Sequence, residues 1–221
     1  MDLEHTKYAP RLILATNCQR RAELLRSVGI AFIQADQPTR FDDEEPVELH
    51  PLDWGPRDKS VHEYAEKIAL QKARRLARHG HWRIEQGAHT IILAAKTIAF
   101  GHRDQPLTIP EDRDQARRMI EKLVQHGQRV VTACAYLQPD SRLNETLADT
   151  ADVTCDMDDD AIQAYLDTDA WRDRIGACDR LNPPDTLPLR IKGDRSCLEG
   201  MPLEALARTF ENWSLIRAGN E

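Results

Sequence analysis

Two adjacent arginines and one misplaced lysine are the residues here whose types and positions could do chemistry. Arg20 and Arg21 follow a short apolar segment, Arg11 to Ala15, and a polar break at Thr16, Asn17 and Cys18, in the stretch LILATNCQRRAELLRSVGI. A polar loop at a strand's end, opening a helix whose first amides are unpaired, is a natural phosphate cradle, and guanidinium groups beside it add forked donors. The plainer reading makes both arginines solvated first-turn residues, and the local sequence by itself favours that reading. Lys96 interrupts TIILAAKTIAF, residues 90–100, the most apolar run in a chain that is 30% charged. Such a run, ending at Gly101, reads as a strand buried on both faces, where a lysine needs a partner or a purpose.

The elements that must position these groups are legible from periodicity. A helix with Leu24, Leu25 and Val28 on one face follows the first loop and stops at Gly29, and Ile30 to Ala35 reads as a second strand. The acidic run Asp42 to Glu45 leads into a loop punctuated by Pro46, Pro51 and Pro56. Ser60 and Glu63 form a capping-box signature. Val61, Ala65, Ile68, Ala69, Ala73 and Leu76 then keep helical spacing down to Gly80. After the strand at residues 90–100, Pro110 opens a helix that ends at Gly127. Gln128 to Leu137 and Glu145 to Cys155 read as partner strands. A helix capped by Asp158 to Asp160 follows, then an irregular stretch over residues 171–185 and a strand from Leu187 to Lys192. A last helix starts at Pro202 and carries Leu203, Leu206, Ala207 and Phe210 on one face. Strands alternating with helices, without repeats, predict an α/β fold. The expected layout is a tail over 1–10, one domain over 11–215 and a tail over 216–221.

Composition narrows the class. The formal charge of −7 argues against nucleic acid and membrane surfaces as general partners. No apolar run approaches the roughly 20 residues that span a bilayer. The start lacks a basic leader before an apolar segment, so no signal peptide is expected. The five cysteines are scattered, odd in number and never in a C-x-x-C pair, the usage of reduced thiols in a cytoplasm. Cys134 and Cys155 suit small buried filler. The eight histidines show no metal spacing, and none is assigned to a site.

Taken in order, the motifs resemble those of the Maf-like nucleoside triphosphate pyrophosphatases. That family's L-A-S-x-S-P-R-R-x-E-L-L is similar to Leu14 through Leu25 here, and its acidic D-E after the second strand is similar to Asp43-Glu44. Its K-A on a long helix resembles Lys72-Ala73. Its T-G-E-P-x-D-K-A-G-A-Y resembles Thr168 through Cys178, with Asp173 and Arg174 at the D-K pair. Its closing G-x-x-x-x-V-x-G-L-P-L resembles Gly193 through Leu203. The resemblance covers about residues 11 to 210. It implies a two-lobed fold like that of Maf and inosine triphosphatase proteins, with a twisted mixed sheet and a nucleotide cleft between lobes. It also implies cleavage of a nucleoside triphosphate to monophosphate and pyrophosphate with Mg²⁺ or Mn²⁺, often on modified nucleotides, and a homodimer. Carried over residue by residue, Thr16, Cys18, Arg20, Arg21, Lys72 and Arg174 would face phosphate. Asp43, Thr97 and Asp173 would line the cleft, and Glu44 would serve in catalysis or hold the metal.

The departures sit at the chemistry. The family's G-A-D-T-V-V strand becomes Ala94-Ala95-Lys96-Thr97-Ile98-Ala99, so Lys96 stands where the family has its aspartate base. The downstream G-K-P becomes Thr108-Ile109-Pro110, and a Q-G pair becomes Leu181-Asn182. Thr16, Cys18 and Gln19 replace two serines and a proline. A lysine ordinarily titrates near pH 10.4, and its pKa would have to fall by roughly three pH units before it could take a proton from water at neutrality. Three readings follow. One is a nucleotide binder with lost or weakened hydrolysis. Another is an active pyrophosphatase with a rebuilt base among Asp42, Asp43, Glu44, Glu45 and Asp173. The third is a structural or protein-interaction descendant whose cleft is plugged by Ile109, Leu181 or Trp171. The plain alternatives stand beside them: Lys96 snorkelling or paired with an acid such as Glu44, Lys72 exposed on its helix, and the acidic run a solvated loop.

Overall fold

The computed structural model describes residues 11–35, 57–79, 90–139 and 144–212. The strands are β1 (Arg11–Ala15), β2 (Ile33–Gln34), β3 (Thr90–Phe100), β4 (Gln128–Leu137), β5 (Asn144–Cys155) and β6 (Leu189–Gly193). The α-helices are α1 (Gln19–Ser27), α2 (Arg57–His79), α3 (Arg113–His126), α4 (Asp159–Asp167), α5 (Ser196–Glu199) and α6 (Leu203–Asn212). One mixed six-stranded sheet has the order β2-β1-β3-β4-β5-β6. β1 pairs in parallel with β2 and β3, and the remaining neighbours are antiparallel.

The alternation of side chains along β1 sorts the helices onto two faces. Leu12 and Leu14 pack with Ala22 and Leu25 of α1, whereas Ile13 and Ala15 pack with Ala65, Ala69 and Ala73 of α2. β3 continues the pattern: Ile91, Leu93 and Ala95 join the α1 cluster, and Ile92, Ala94 and Phe100 join the α2 cluster. A third cluster, around Ile120, Val153, Tyr165 and Trp171, fills the space between α3, α4 and β5. Small residues along α2 allow that helix to lie close against the sheet, and Phe100 fills the end of the interface.

Several boundaries differ from the sequence expectations. α2 begins at Arg57, so Ser60 lies inside the helix and is not its cap. α3 begins at Arg113, after Asp112, whose carboxylate accepts from the Gln115 amide at 2.7 Å; Pro110 only leads into it. The second strand is limited to Ile33–Gln34, and the sixth starts at Leu189. Val28 lies past the end of α1 and is 42% exposed, because the chain turns there into Gly29 at φ +75°. The four-residue α5 has too few residues for a periodicity signal. Trp171 belongs to the core, its indole N–H donating to the Leu166 carbonyl at 3.0 Å, while Ile109 is exposed. Neither is a buried plug in a cleft.

Candidate functional site

Where β1 stops, β3 goes on, and that offset builds the site. The pairing runs from Arg11 opposite Thr90 to Ala15 opposite Ala94. β1 is also the strand where the order reverses, since its two parallel neighbours are β2 and β3 and the helices between these strands in sequence cover opposite faces. In open α/β sheets, ligands sit in such a crevice, outside the carboxyl ends of the strands. The loop Thr16 to Cys18 and the residues Lys96 and Thr97 therefore meet at this crevice. Ile91 to Ala95 are buried, and Lys96, Thr97 and Ile98 are half-buried. A lysine is tolerated in this apolar run because it stands just past the last β1 pairing, where its stem can lie on the sheet and its head can reach outward.

Alternation puts Lys96 on the α2 face of β3 and Thr97 on the α1 face. On the α1 face Arg21 joins three segments. Its Nε donates to the Gly200 carbonyl at 3.0 Å, one terminal nitrogen donates to Thr16 Oγ1 at 3.4 Å, and the other donates to Thr97 Oγ1 at 3.3 Å. Thr132 Oγ1 donates to the Cys197 carbonyl at 2.7 Å, and Thr97 Oγ1 lies 2.9 Å from Thr132 Oγ1. A hydroxyl has one proton, so Thr97 must donate to Thr132. The chain of bonds then runs one way, from the Arg21 guanidinium through Thr97 and Thr132 to the carbonyl on α5, and each bond polarises the next. Gly200 is required at this junction. Its φ is +100°, and a Cβ would come within 3.0 Å of Arg21 Nε.

The other predicted residues fall into place around this junction. Thr16 is buried, and its hydroxyl accepts from the Cys18 amide at 3.1 Å, which fixes the loop turn. Gln34 ties the same loop to β2 through the Thr16 carbonyl at 3.2 Å. Cys18 is exposed at the N-cap of α1 and makes no side-chain capping bond. Arg20 is exposed and lines a cavity of about 170 Å³ together with Arg180, Asn182, Arg195 and Glu199. Lys72 is half-buried in the stripe of Ile68, Ala69 and Leu76, on the helix that covers the Lys96 face, and is not a fully exposed helix lysine. Arg174 pairs with Asp179 at 3.2 Å, and Asp173 is an exposed residue held at φ +56°. Asp42, Asp43, Glu44 and Glu45 lie outside the described residues.

Of the residues singled out in the sequence, Thr16, Arg21 and Thr97 meet in one hydrogen-bonded junction, and Arg20 lines the neighbouring cavity. Lys96 and the helix that carries Lys72 lie on the opposite face of the sheet from Arg21, a separation that the sequence reading does not include. Thr132, Arg180 and Arg195 were missed. Thr132 shares register with Thr97, which only strand pairing reveals, and isolated arginines in an irregular stretch give no periodic signal.

Among the described residues no three His, Cys, Asp or Glu side chains converge on a metal position. Mg²⁺ is commonly held by one or two carboxylates plus substrate phosphates, so the donor set to test is the acidic run that includes Glu44. The buried thiols are poor nucleophiles. Burial pushes Cys134 up to about 12, against the opposing pull of Arg21, and it pushes Cys197 up as well.

A family model described as Maf-like protein matches residues 11–213. A dTTP/UTP pyrophosphatase of Pseudoalteromonas atlantica is 29% identical over 209 residues, covering 92% of this chain and 97% of that protein. A dTTP/UTP pyrophosphatase of Symbiobacterium thermophilum is 31% identical over 196 residues, covering 87% and 89%. A nucleoside triphosphate pyrophosphatase of Nitratiruptor is 28% identical over 197 residues, covering 88% and 95%.

Proposed function

The chain belongs to the Maf-like family, and on that premise we propose that it binds nucleoside triphosphates, pyrimidine ones such as dTTP and UTP foremost, with hydrolysis weakened by Lys96. One observation carries this reading: a cationic side chain stands half-buried at the crevice position where the resemblance has an aspartate base. Hydrolysis joins a water oxygen to the α-phosphorus, breaks the bond to the α–β bridging oxygen and releases pyrophosphate. The water's proton needs an acceptor. An ammonium group has no lone pair for that proton, but it can neutralise a phosphate oxygen.

The binding half of the chemistry rests on groups of matching charge. Arg20 at the first turn of α1 and Lys72 on α2 supply positive charge, and the first-turn amides of α1 supply donors. Arg21 keeps the loop, β3 and α5 in one arrangement, so its contribution is positioning as much as charge. A divalent cation, Mg²⁺ or Mn²⁺, would arrive with the triphosphate and neutralise its oxygens, and Glu44 would be its protein ligand. The homodimer and the cytoplasmic location implied by resemblance and cysteine usage belong to the same proposal.

A second reading is favoured by the names of the relatives: activity retained, with the base supplied by Asp173 or by a carboxylate of the run Asp42 to Glu45. Parallel measurements decide between the two. dTTP and UTP binding by calorimetry, and pyrophosphate release with Mg²⁺ or Mn²⁺ over standard and modified nucleotides, would be compared with the Arg20→Ala, Lys72→Ala double variant. Binding lost in the variant, with release at its background in both proteins, supports weakened hydrolysis. Release well above background that the variant abolishes supports the rebuilt site. Absence of nucleotide binding overturns both.

A further inference from the structure

We infer that the cavity walled by Arg20, Arg180 and Arg195 receives the terminal phosphoryl groups of the nucleotide and binds inorganic pyrophosphate by itself. The inference rests on the nucleotide reading above and adds to it residues that the family resemblance does not supply, Arg180 and Arg195.

Arg180 is the telling residue. One terminal nitrogen donates to the Ile175 carbonyl at 2.8 Å and to the Cys178 carbonyl at 3.5 Å, and the other donates to the Gln128 side-chain oxygen. Its Nε is buried without a hydrogen-bond partner. All of these acceptors are neutral. Asp179, next in the chain, is committed elsewhere: Oδ2 faces Arg174 at 3.2 Å, and Oδ1 accepts from the amides of Leu181 and Asn182 at 3.3 and 3.2 Å. A half-buried guanidinium whose hydrogen-bond acceptors are all neutral has no counter-charge among them, and an incoming anion at the cavity would add one. Burial is also the main influence on its proton affinity, lowering it from the ordinary arginine value.

The rest of the cavity has matching chemistry. Arg20 comes from the first turn of α1 and Arg195 from the residue before α5; both are exposed and can turn onto an anion. Among the described lining residues Glu199 is the one carboxylate, against three arginines, and Asn182 adds an amide. At about 170 Å³ the cavity is smaller than the roughly 300–1,000 Å³ of pockets that enclose a whole small molecule, so it suits phosphoryl groups and not a nucleoside. It adjoins the crevice, because Arg21 follows Arg20 and grips the carbonyl of Gly200, the residue after Glu199. The pair Leu181-Asn182, which departs from the family's Q-G, forms part of its wall.

The test is calorimetric titration of the full chain with inorganic pyrophosphate at low salt, in parallel with dTTP and dTMP. Arg195→Gln is the main variant, because Arg195 is exposed and its loss leaves the core untouched. Charge-assisted bonds of this kind predict a loss of about tenfold in pyrophosphate affinity in Arg195→Gln, substantial recovery in Arg195→Lys, and unchanged dTMP affinity. Equal pyrophosphate affinity in wild type and Arg195→Gln, with dTTP still binding, overturns the cavity assignment and leaves the nucleotide reading standing. dTTP binding without any pyrophosphate binding does the same. Failure of both ligands to bind overturns the cavity assignment together with the nucleotide reading.

Discussion

Thr97 and Arg21 show how much of this site is architecture. The bonded chain from Arg21 through Thr97 and Thr132 to the Cys197 carbonyl ties α1, β3, β4 and α5 together. Thr97→Val keeps the shape and removes the hydroxyl, leaving Thr132 without its donor and one of Arg21's two terminal nitrogens without its acceptor, while the bonds to Gly200 and Thr16 remain. A loss of about 1–3 kcal/mol in urea unfolding is expected, larger than for Thr→Val at an exposed strand position. A change within about 0.5 kcal/mol would mean that the chain of hydroxyls is not cooperative. At this scale the sequence was informative where the group's type was unusual for its setting. A lysine inside an apolar run and an arginine pair after a strand are visible without a structure. A half-buried arginine such as Arg180 is not, since nothing local distinguishes it from the exposed Arg172 eight residues before it.

Among the elements, the strands β1, β3, β4 and β5 were readable almost to the residue, because the first three are dense apolar runs and β5 alternates Ala151, Val153 and Cys155 with polar residues. Helix starts were not. Ser60 and Pro110 have the right chemistry for a start, but α2 begins at Arg57, and α3 begins at Arg113, where the Asp112 cap sets the boundary. The α5 region escaped detection because its shape depends on two glycines and not on periodicity. Gly193 closes β6 at φ +96°, and a Cβ there would lie 2.3 Å from the Thr150 backbone oxygen. Gly193→Ala therefore combines a left-handed backbone with a clash that a side-chain rotation cannot relieve. It should cost at least about 2 kcal/mol in urea unfolding, the upper part of the range for strained backbone positions. Wild-type stability in that variant would show that the β5–β6 junction relaxes freely.

For the whole molecule, the buried thiols and phenols set the alkaline limit. Burial raises Cys134 from 9.0 to about 12, and Cys155 and Cys178 from 9.0 to about 11. Tyr136, Tyr165 and Cys197 are pushed up as well, again chiefly by burial. The unfolded thiols lose their protons near pH 9, whereas the folded ones keep them to about 11–12. The native state therefore binds more protons in that window, and stability falls as pH rises. The urea midpoint should hold up to about pH 8.5 and then drop steadily toward pH 10.5; a flat profile would contradict the burial. The same burial predicts one thiol, Cys18, reacting rapidly with a disulfide reagent in the native protein and all five after denaturation. Among the described residues no helix is long and apolar enough to cross a membrane.

The central claim is that Lys96 weakens hydrolysis because a cation stands where a base is needed, and Lys96→Asp tests it most directly. Pyrophosphate release from dTTP and UTP with Mg²⁺ would be measured for wild type and variant under saturating nucleotide. The account predicts release near background in the wild type and a rise of at least about 100-fold in Lys96→Asp, the low end of what a positioned general base contributes. Robust release by the wild type that Lys96→Asp leaves unchanged or reduces would contradict it and assign the chemistry to another carboxylate.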